Sequence, residues 1–365
     1  MEGVKYDPVY IEEREKEVLL ELAWFFKGAL DEFGTSLDRS LRYLERIILP
    51  IVMASKKDRS YNPFAEIVEK YALHILYRKL EKYGYHLLPL GYSSDLTLEN
   101  EKHILNVDVK TASLDNPSDF NRTINVGINQ MTHAARLKIN GVFLPSPYFV
   151  YPNLPPFYEM GDSGKKLILT YGFVFIYPSY RDVLDSIRRD YSDLFAIFNQ
   201  KIVNVLAKLQ EFSNVYKDKK MREKLPVIAE NLIRGIFIHE YARNEILNSI
   251  KISKSERKLL EKFAHKLKNI AQKLRERNIK PVAIIMISLP NGLLKERYLK
   301  RFVSGKSYGR SARYHYENGI FEFLKEKTGK EFPRVIFVDL KEEYLSDLRK
   351  YFGRINLLDY RVRRL

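Results

Sequence analysis

Apolar residues recur at spacings of three and four over residues 10–32 and 36–54, which predicts two amphipathic helices. In the second, Leu37, Leu41, Leu44 and Ile48 share one face and Ser36 is placed to cap it. A polar break, SKKDRSYNP, precedes a third expected helix over 62–83, with Phe64, Ile67, Val68, Tyr71, Ile75 and Leu80 inward and Gly84 ending it. Strand-like segments follow at 85–90, 95–98 and 104–111, the last two joined by the turn-like ENEKH. Residues 112–166, rich in Asn, Asp, Ser and Pro, predict a long loop-rich region with short elements at most, and 167–177 (LILTYGFVFIY) predicts a buried strand. From about 180 to 280 the pattern is helical. In 256–277, Leu259, Leu260, Phe263, Leu267, Ile270 and Leu274 line one side, with Lys and Arg on the other. Two more strands are expected at 282–289 and 334–340, separated by a basic loop and helix. The expected fold is α/β (α+β): a mixed central β-sheet flanked by helices, with a large helical insertion. Three regions follow: 1–177 with the N-terminal helices and a catalytic core, 178–280 helical, and 281–365 with C-terminal strands and a basic segment packed on the core.

Composition narrows the function. The 365 residues are 45% hydrophobic, as in a folded protein, and contain no cysteine, which excludes disulfides, cysteine zinc sites and a cysteine nucleophile. A charged fraction of 30% dominated by Lys, Arg and Glu suits a thermophile's cytoplasmic protein. The N-terminus lacks the basic and apolar blocks of a signal peptide, and runs such as 283–289 are too short to cross a bilayer, so no membrane partner is expected. The net charge of +16 is concentrated: 251–280 carries eleven Lys/Arg against three Glu, and 291–315 seven against one. Such a field suits a polyanion, either nucleic acid or an acidic membrane surface, although a charged thermophile surface would look similar. The seven histidines form no HxH or HExxH pair, and no P-loop or G-x-S-x-G elbow is present.

The chemistry concentrates in GYSSDLTLENEKHILNVDVKTAS, residues 91–113. With a strand period of two, Asp108 and Lys110 share one face while Val107 and Val109 face a core. If 95–98 and 104–111 pair as a hairpin, Asp95 and Asp108 can converge on one point. Two carboxylates and a lysine suit metal-assisted phosphodiester hydrolysis, with magnesium taking the carboxylate oxygens. A surface Asp–Lys pair of little consequence is the alternative reading.

The arrangement resembles the PD-(D/E)xK nuclease superfamily, with Asp95 matching the first acid, Asp108 the second and Lys110 the lysine; Ser94 stands where the motif has proline. The run SSDLTL…NVDVKT looks like type II restriction endonucleases in particular. The resemblance covers about residues 60–135 and implies a Mg²⁺-dependent, sequence-specific endonuclease acting on double-stranded DNA as a homodimer, with a cognate DNA methyltransferase as companion. It also implies a further carboxylate from the preceding helix, for which Glu66 and Glu69 are the candidates. A structure-specific repair or junction nuclease, and a non-catalytic nucleic-acid-binding protein, are the alternatives.

Two segments could contact DNA. The loop 116–133 carries Asn121, Arg122, Asn125, Asn129 and Gln130, whose side chains can pair with base edges. Gln130 also resembles a glutamine that follows the lysine in some relatives. The segment 295–316 interleaves aromatics with basic residues, among them Lys300, Arg301, Lys306, Arg310 and Arg313, and suits phosphate clamping with base readout by Arg310 or Arg313.

Overall fold

The computed structural model describes residues 7–31, 65–88, 95–114, 120–159, 165–178, 281–305, 310–352 and 356, with scattered residues between 201 and 269. The chain forms two compact units. One gathers residues 1–34, 64–178 and 280–365; the other comprises 35–63 and 179–279. The expected helix over 36–54 and most of the helical stretch 180–280 lie outside the described residues.

The larger unit opens with helix α1, Pro8–Phe25. Asp7 caps it by accepting the Val9 N–H at 3.0 Å, and Pro8 follows in the first turn, where its missing N–H costs nothing. The helix expected over 10–32 is interrupted after Phe25 and resumes over 29–31. Residues 26–28 form a turn in which Gly28 adopts φ +71°, a backbone state that breaks the α-helical ladder. Helix α2, Ala65–Glu81, also ends near a glycine, Gly84, at φ +77°.

Among the described residues the central sheet has seven strands. Strands β1 (His86–Leu87), β2 (Leu96–Glu99) and β3 (His103–Ser113) form an antiparallel series. Strand β3 then pairs in parallel with β10, Lys165–Tyr177, over eleven residues. Antiparallel pairs continue to β11 (Ala283–Leu289) and β14 (Val335–Leu340), while β9 (Phe157–Glu159) pairs with the start of β10. The sheet is therefore mixed, as expected, and strands β10 and β11 read as unbroken apolar runs because both faces are covered.

One face carries Val107 and Val109 together with their β10 neighbours Tyr171 and Phe173. Helix α1 covers it: the Tyr171 hydroxyl donates to the Glu15 carbonyl at 2.8 Å, and the Phe26 and Phe173 rings meet at 5.2 Å. The opposite face carries Asp108 and Gly172. A second sheet lies over it in the order β4 (Thr123–Gly127), β13 (Ser311–His315), β12 (Phe302–Ser304), β5 (Ala135–Arg136) and β8 (Phe149–Val150). A Cβ at Gly172 would stand 2.4 Å from the Ile124 side chain, so glycine there is what lets the two sheets approach. Two short strands, β6 (Lys138–Ile139) and β7 (Val142–Phe143), form a hairpin beside this sheet sequence. Residues 112–166, expected to be loop-rich with short elements at most, hold six strands of two to five residues.

A buried charge cluster fastens α1 to the C-terminal strands. Arg334, fully buried, donates to Glu15 at 2.7 Å, to Glu12 at 3.0 Å and to the Ser288 hydroxyl at 3.4 Å, and its guanidinium lies against the Tyr298 and Phe321 rings. Glu15 also accepts the Asn291 N–H, and Glu12 the Leu324 N–H and the Tyr298 hydroxyl. Two carboxylates share one guanidinium here, and burial pushes Glu15 up to about 7 against the pull of Arg334.

In the smaller unit, the described residues show a helix start at Ser253, where Ser253 and Glu256 exchange backbone hydrogen bonds as a capping box and Lys201 pairs with Glu256 at 2.5 Å. Leu259, expected on the apolar side of 256–277, is 43% exposed.

Arg334→Met is expected to destabilise the protein by about 3–5 kcal/mol, since it leaves Glu12 and Glu15 buried without a cation. Urea unfolding would measure it, and a loss under 1 kcal/mol would remove the cluster's structural role. A Glu15 value raised above that of the unfolded chain makes its contribution largest below about pH 4.5 and lost as pH rises through about 7.

Candidate active site

The hairpin register brings the sequence-derived residues together. Leu96 faces Val107 across β2 and β3, so Asp95, just before β2, lies level with Asp108. Asp95 is exposed, and one of its oxygens accepts the Val109 N–H at 2.7 Å. Asp108 is fully buried on the face away from Val107 and Val109. Lys110, two residues on and partly exposed, donates to Asp108 Oδ1 at 2.8 Å. Glu66 and Glu69 fall at the start of α2, but their side chains lie outside the described residues.

Gln130 joins this group. Its Nε2 donates to Asp108 Oδ1 at 2.8 Å, its Oε1 accepts the Gly127 N–H at 2.6 Å, and its carbonyl accepts the buried Asn106 amide. Asp108 Oδ1 thus has two donors, whereas Oδ2 is buried with no hydrogen-bond partner among the described residues. Burial is the largest influence on Asp108 and lifts its carboxyl to about 6; Lys110 opposes the rise and Asp95 adds to it. A buried carboxylate with one oxygen unsatisfied costs stability, and such an arrangement marks a place built for a ligand. The donor set fits a hard divalent cation, since Asp108 Oδ2 and the Asp95 carboxylate are both anionic oxygens. Among the described residues no group of three or more His, Cys, Asp or Glu stands ready for a metal, so waters and substrate oxygens would complete its shell.

The residues expected to contact DNA separate into two groups. Strand β4 pairs with β13 and β13 with β12, so parts of 116–133 and 295–316 belong to one sheet. A single row crosses that sheet: Asn125, Arg313, Val303, Arg136 and Phe149. Ile124, Val126, Ala312 and Tyr314 are buried beneath it, while Asn125 and His315 are exposed. Beside the row, Lys138, Phe143, Lys300, Val303, Ser304, Arg313 and His315 line a cleft of about 370 Å³. Partial burial first, and then the Arg313 and Lys138 charges, hold His315 below its ordinary value, as a positive surface requires. Arg136 lies 3.8 Å from the centre of the Phe143 ring. Sequence reasoning did not single out Arg136 and Lys138, whose stretch carries no charge run and which meet the others only through strand pairing, nor His315, which lies within the basic segment 295–316.

The remaining candidates are otherwise engaged. Arg122, at φ +60°, pairs with Glu317 at 2.7 Å and lines a separate cavity of about 240 Å³. Arg301 donates to the Glu317 carbonyl and pairs with Glu322 at 3.2 Å. Asn129 accepts from the Asn153 amide, and Gln130 is turned inward to Asp108. Asn121 and Arg310 are exposed, with the Arg310 carbonyl accepting the Ile128 N–H; Lys306 lies outside the described residues.

Residues 9–182, a little under half of the chain, match the family described as type II restriction enzyme MwoI, N-terminal domain. The match agrees with the resemblance carried by residues 91–113: over that stretch the chain is similar to a type II restriction enzyme. The particular likeness is to the N-terminal domain of MwoI, and the matched stretch contains Asp95, Asp108, Lys110 and Gln130 but none of β11 to β14. No curated protein matches in sequence. Among solved structures, the restriction endonuclease BglI bound to its DNA recognition sequence is similar at 12% identity and a TM-score of 0.41, covering 92% of this chain and 95% of that one. The tetrameric restriction endonuclease SfiI bound to cognate DNA is similar at 12% identity and a TM-score of 0.34, covering 84% of each chain. Scores of this size leave the fold to be read from the strand pairings themselves. Among the described residues, no helix is long and apolar enough to cross a membrane.

The unsatisfied oxygen makes Asp108 costly, so Asp108→Asn is expected to raise the thermal midpoint by roughly 2–8 °C at pH 8 in the presence of EDTA. With its folded value near 6, above the ordinary 3.8, the wild-type carboxyl destabilises the fold as pH rises through 6 and ceases to do so below about 4. The gap between mutant and wild type should therefore close toward acid pH. A midpoint lowered at pH 8 would mean that the carboxylate holds the fold together.

Proposed function

We propose that the protein is a site-specific endonuclease that hydrolyses phosphodiester bonds of double-stranded DNA with magnesium, acting as a homodimer on two-fold symmetric sites. The observation that carries this reading is Asp108 Oδ2, buried beside Asp95 and Lys110 with no hydrogen-bond partner among the described residues. The family match supports the same class, and DNA as partner agrees with the DNA named for BglI and SfiI.

Asp108 Oδ2 and the Asp95 carboxylate would hold the ion. When bound, it supplies charge neutralisation at the scissile phosphate and a more acidic water. The chain's own groups do the rest. The Val109 N–H fixes one oxygen of Asp95, so the exposed carboxylate keeps its orientation at the mouth of the site. Lys110 is anchored on Asp108 Oδ1, which keeps its ammonium beside both acids. From there its charge stabilises the extra negative charge on the phosphoryl oxygens in the transition state and its N–H groups orient the attacking water. Burial on the Asp108 side limits the access of other water.

Base and phosphate contacts are assigned to the outer face of the second sheet. Lys138 and Lys300 are suited to phosphates, being flexible point charges. Arg313 and Asn125 lie in register on adjacent strands, and their side chains can pair bidentately with guanine and adenine respectively.

Incubating phage DNA with the protein and magnesium tests the activity. Discrete fragments with constant end sequences are expected; cleavage only at branched or damaged DNA would point to a repair nuclease, and none at all to a binding protein. Asp108→Ala and Lys110→Ala should each lower the cleavage rate by at least roughly 100-fold while leaving DNA affinity nearly unchanged. Full activity in either folded variant would remove it from the site.

The DNA surface is tested separately. Lys138→Ala with Lys300→Ala should weaken binding to all sequences alike and reduce the slope of log affinity against log salt by roughly 0.9 per lost phosphate contact. Arg313→Ala should instead erode the preference for the cognate site by about 1–3 kcal/mol. An unchanged slope and an unchanged preference would move DNA to another face.

A further inference from the structure

We infer that Gln130 is a positioning residue for Asp108, one that decides which carboxylate oxygen is left for a ligand and makes that choice depend on the seating of strand β4. The inference rests on the nuclease reading of Asp95, Asp108 and Lys110. A carboxylate turns readily about its last torsion, because the two oxygens are alike and the torsion is broad. Lys110 alone would not stop it: its ammonium sits on a flexible four-carbon stem and can follow either oxygen. Gln130 can. Its amide is held at both ends, by the Gly127 N–H on Oε1 at 2.6 Å and by Asp108 Oδ1 on Nε2 at 2.8 Å. The opposite amide orientation would set oxygen against oxygen and N–H against N–H, so only one arrangement is chemically allowed. The Gln130 backbone is fixed as well, since its carbonyl accepts the Asn106 amide from the catalytic strand itself. Oδ1 is thereby pinned, and Oδ2 is the oxygen left without a hydrogen-bond partner among the described residues.

The same residue joins the two sheets. Gly127, whose N–H holds the amide, is the last residue of β4, and Asn125 two residues before it faces Arg313 on the outer face. A shift of β4 that follows contact at that face must alter the Gly127–Gln130 turn and with it the hold on Asp108. Helix and loop side chains elsewhere are not needed for the coupling, which runs through the six consecutive residues 125–130.

Two variants test the assignment. Gln130→Met keeps the length of the side chain without its donor; Gln130→Glu keeps the shape but turns an acceptor toward Asp108. Three quantities are measured on each: thermal midpoint, DNA affinity without divalent metal, and the affinity of the DNA complex for manganese by calorimetry, with the single-turnover cleavage rate alongside. For Gln130→Met the midpoint should stay within a few degrees and DNA affinity within about twofold, while metal affinity and cleavage rate each fall roughly 10–100-fold. Gln130→Glu should lose more of both. Wild-type metal affinity and rate in Gln130→Met, or a parallel loss of stability and DNA affinity that accounts for the slower cleavage, would overturn the inference. Its failure is separable from that of the nuclease reading. If wild type cleaves, Asp108→Ala does not and Gln130→Met cleaves at the wild-type rate, only the positioning role falls. If wild type neither binds manganese nor cleaves, the nuclease reading falls and takes this inference with it.

Discussion

Asp108 stands in the middle of an eleven-residue strand, between β2 and the largely apolar, buried run of β10. A carboxylate there loses its hydration, and the surrounding structure can be understood as the set of groups that make the loss tolerable. Lys110 and Gln130 both donate to one oxygen. Gly172, its neighbour on β10, lacks a side chain, so Ile124 of the second sheet can close over the site. Asp95 is held level with it by the Val109 N–H. What these groups leave undone among the described residues is the second oxygen, and it is there that the proposed chemistry is placed.

The Arg334 cluster shows the contrasting way to bury charge. Glu12, Glu15 and Arg334 are as inaccessible as Asp108, yet both carboxylates of that cluster are met by the guanidinium and by backbone or side-chain donors. Complete pairing fixes α1 against the C-terminal strands and leaves nothing for a ligand. Incomplete pairing at Asp108 leaves a place for one. The same protein therefore separates a structural ion cluster from a chemical one by the count of satisfied oxygens, and the two occupy opposite faces of one sheet.

The second sheet follows from a different division. Ile124, Val126, Ala312 and Tyr314 point inward and secure it, so the alternate positions Asn125, Arg313 and His315 are free to differ in chemistry without cost to the core. Polar and basic groups from segments nearly two hundred residues apart come level there because β4 and β13 are neighbours. Arg122 and Arg301, by contrast, are drawn into pairs with Glu317 and Glu322. A basic residue in a charge run thus contributes to the surface only if no local carboxylate claims it.

The hairpin of Asp95, Asp108 and Lys110 was legible in the residues alone, because a period of two and a short turn are local properties of the backbone. So were the mixed sheet, the buried run of β10 and the glycine ending α2. The turn that interrupts the first helix was not, since periodicity continues through residues 26–28, where Gly28 takes a positive φ, and into the helical residues 29–31. Nor was the second sheet: its strands are two to five residues long, too short for a pattern, and become strands by finding distant partners. Gln130 shows the limit most plainly. Its amide can hydrogen-bond a base edge or a carboxylate equally well, and only the parallel and antiparallel pairings that carry the 127–130 turn over β3 choose the carboxylate.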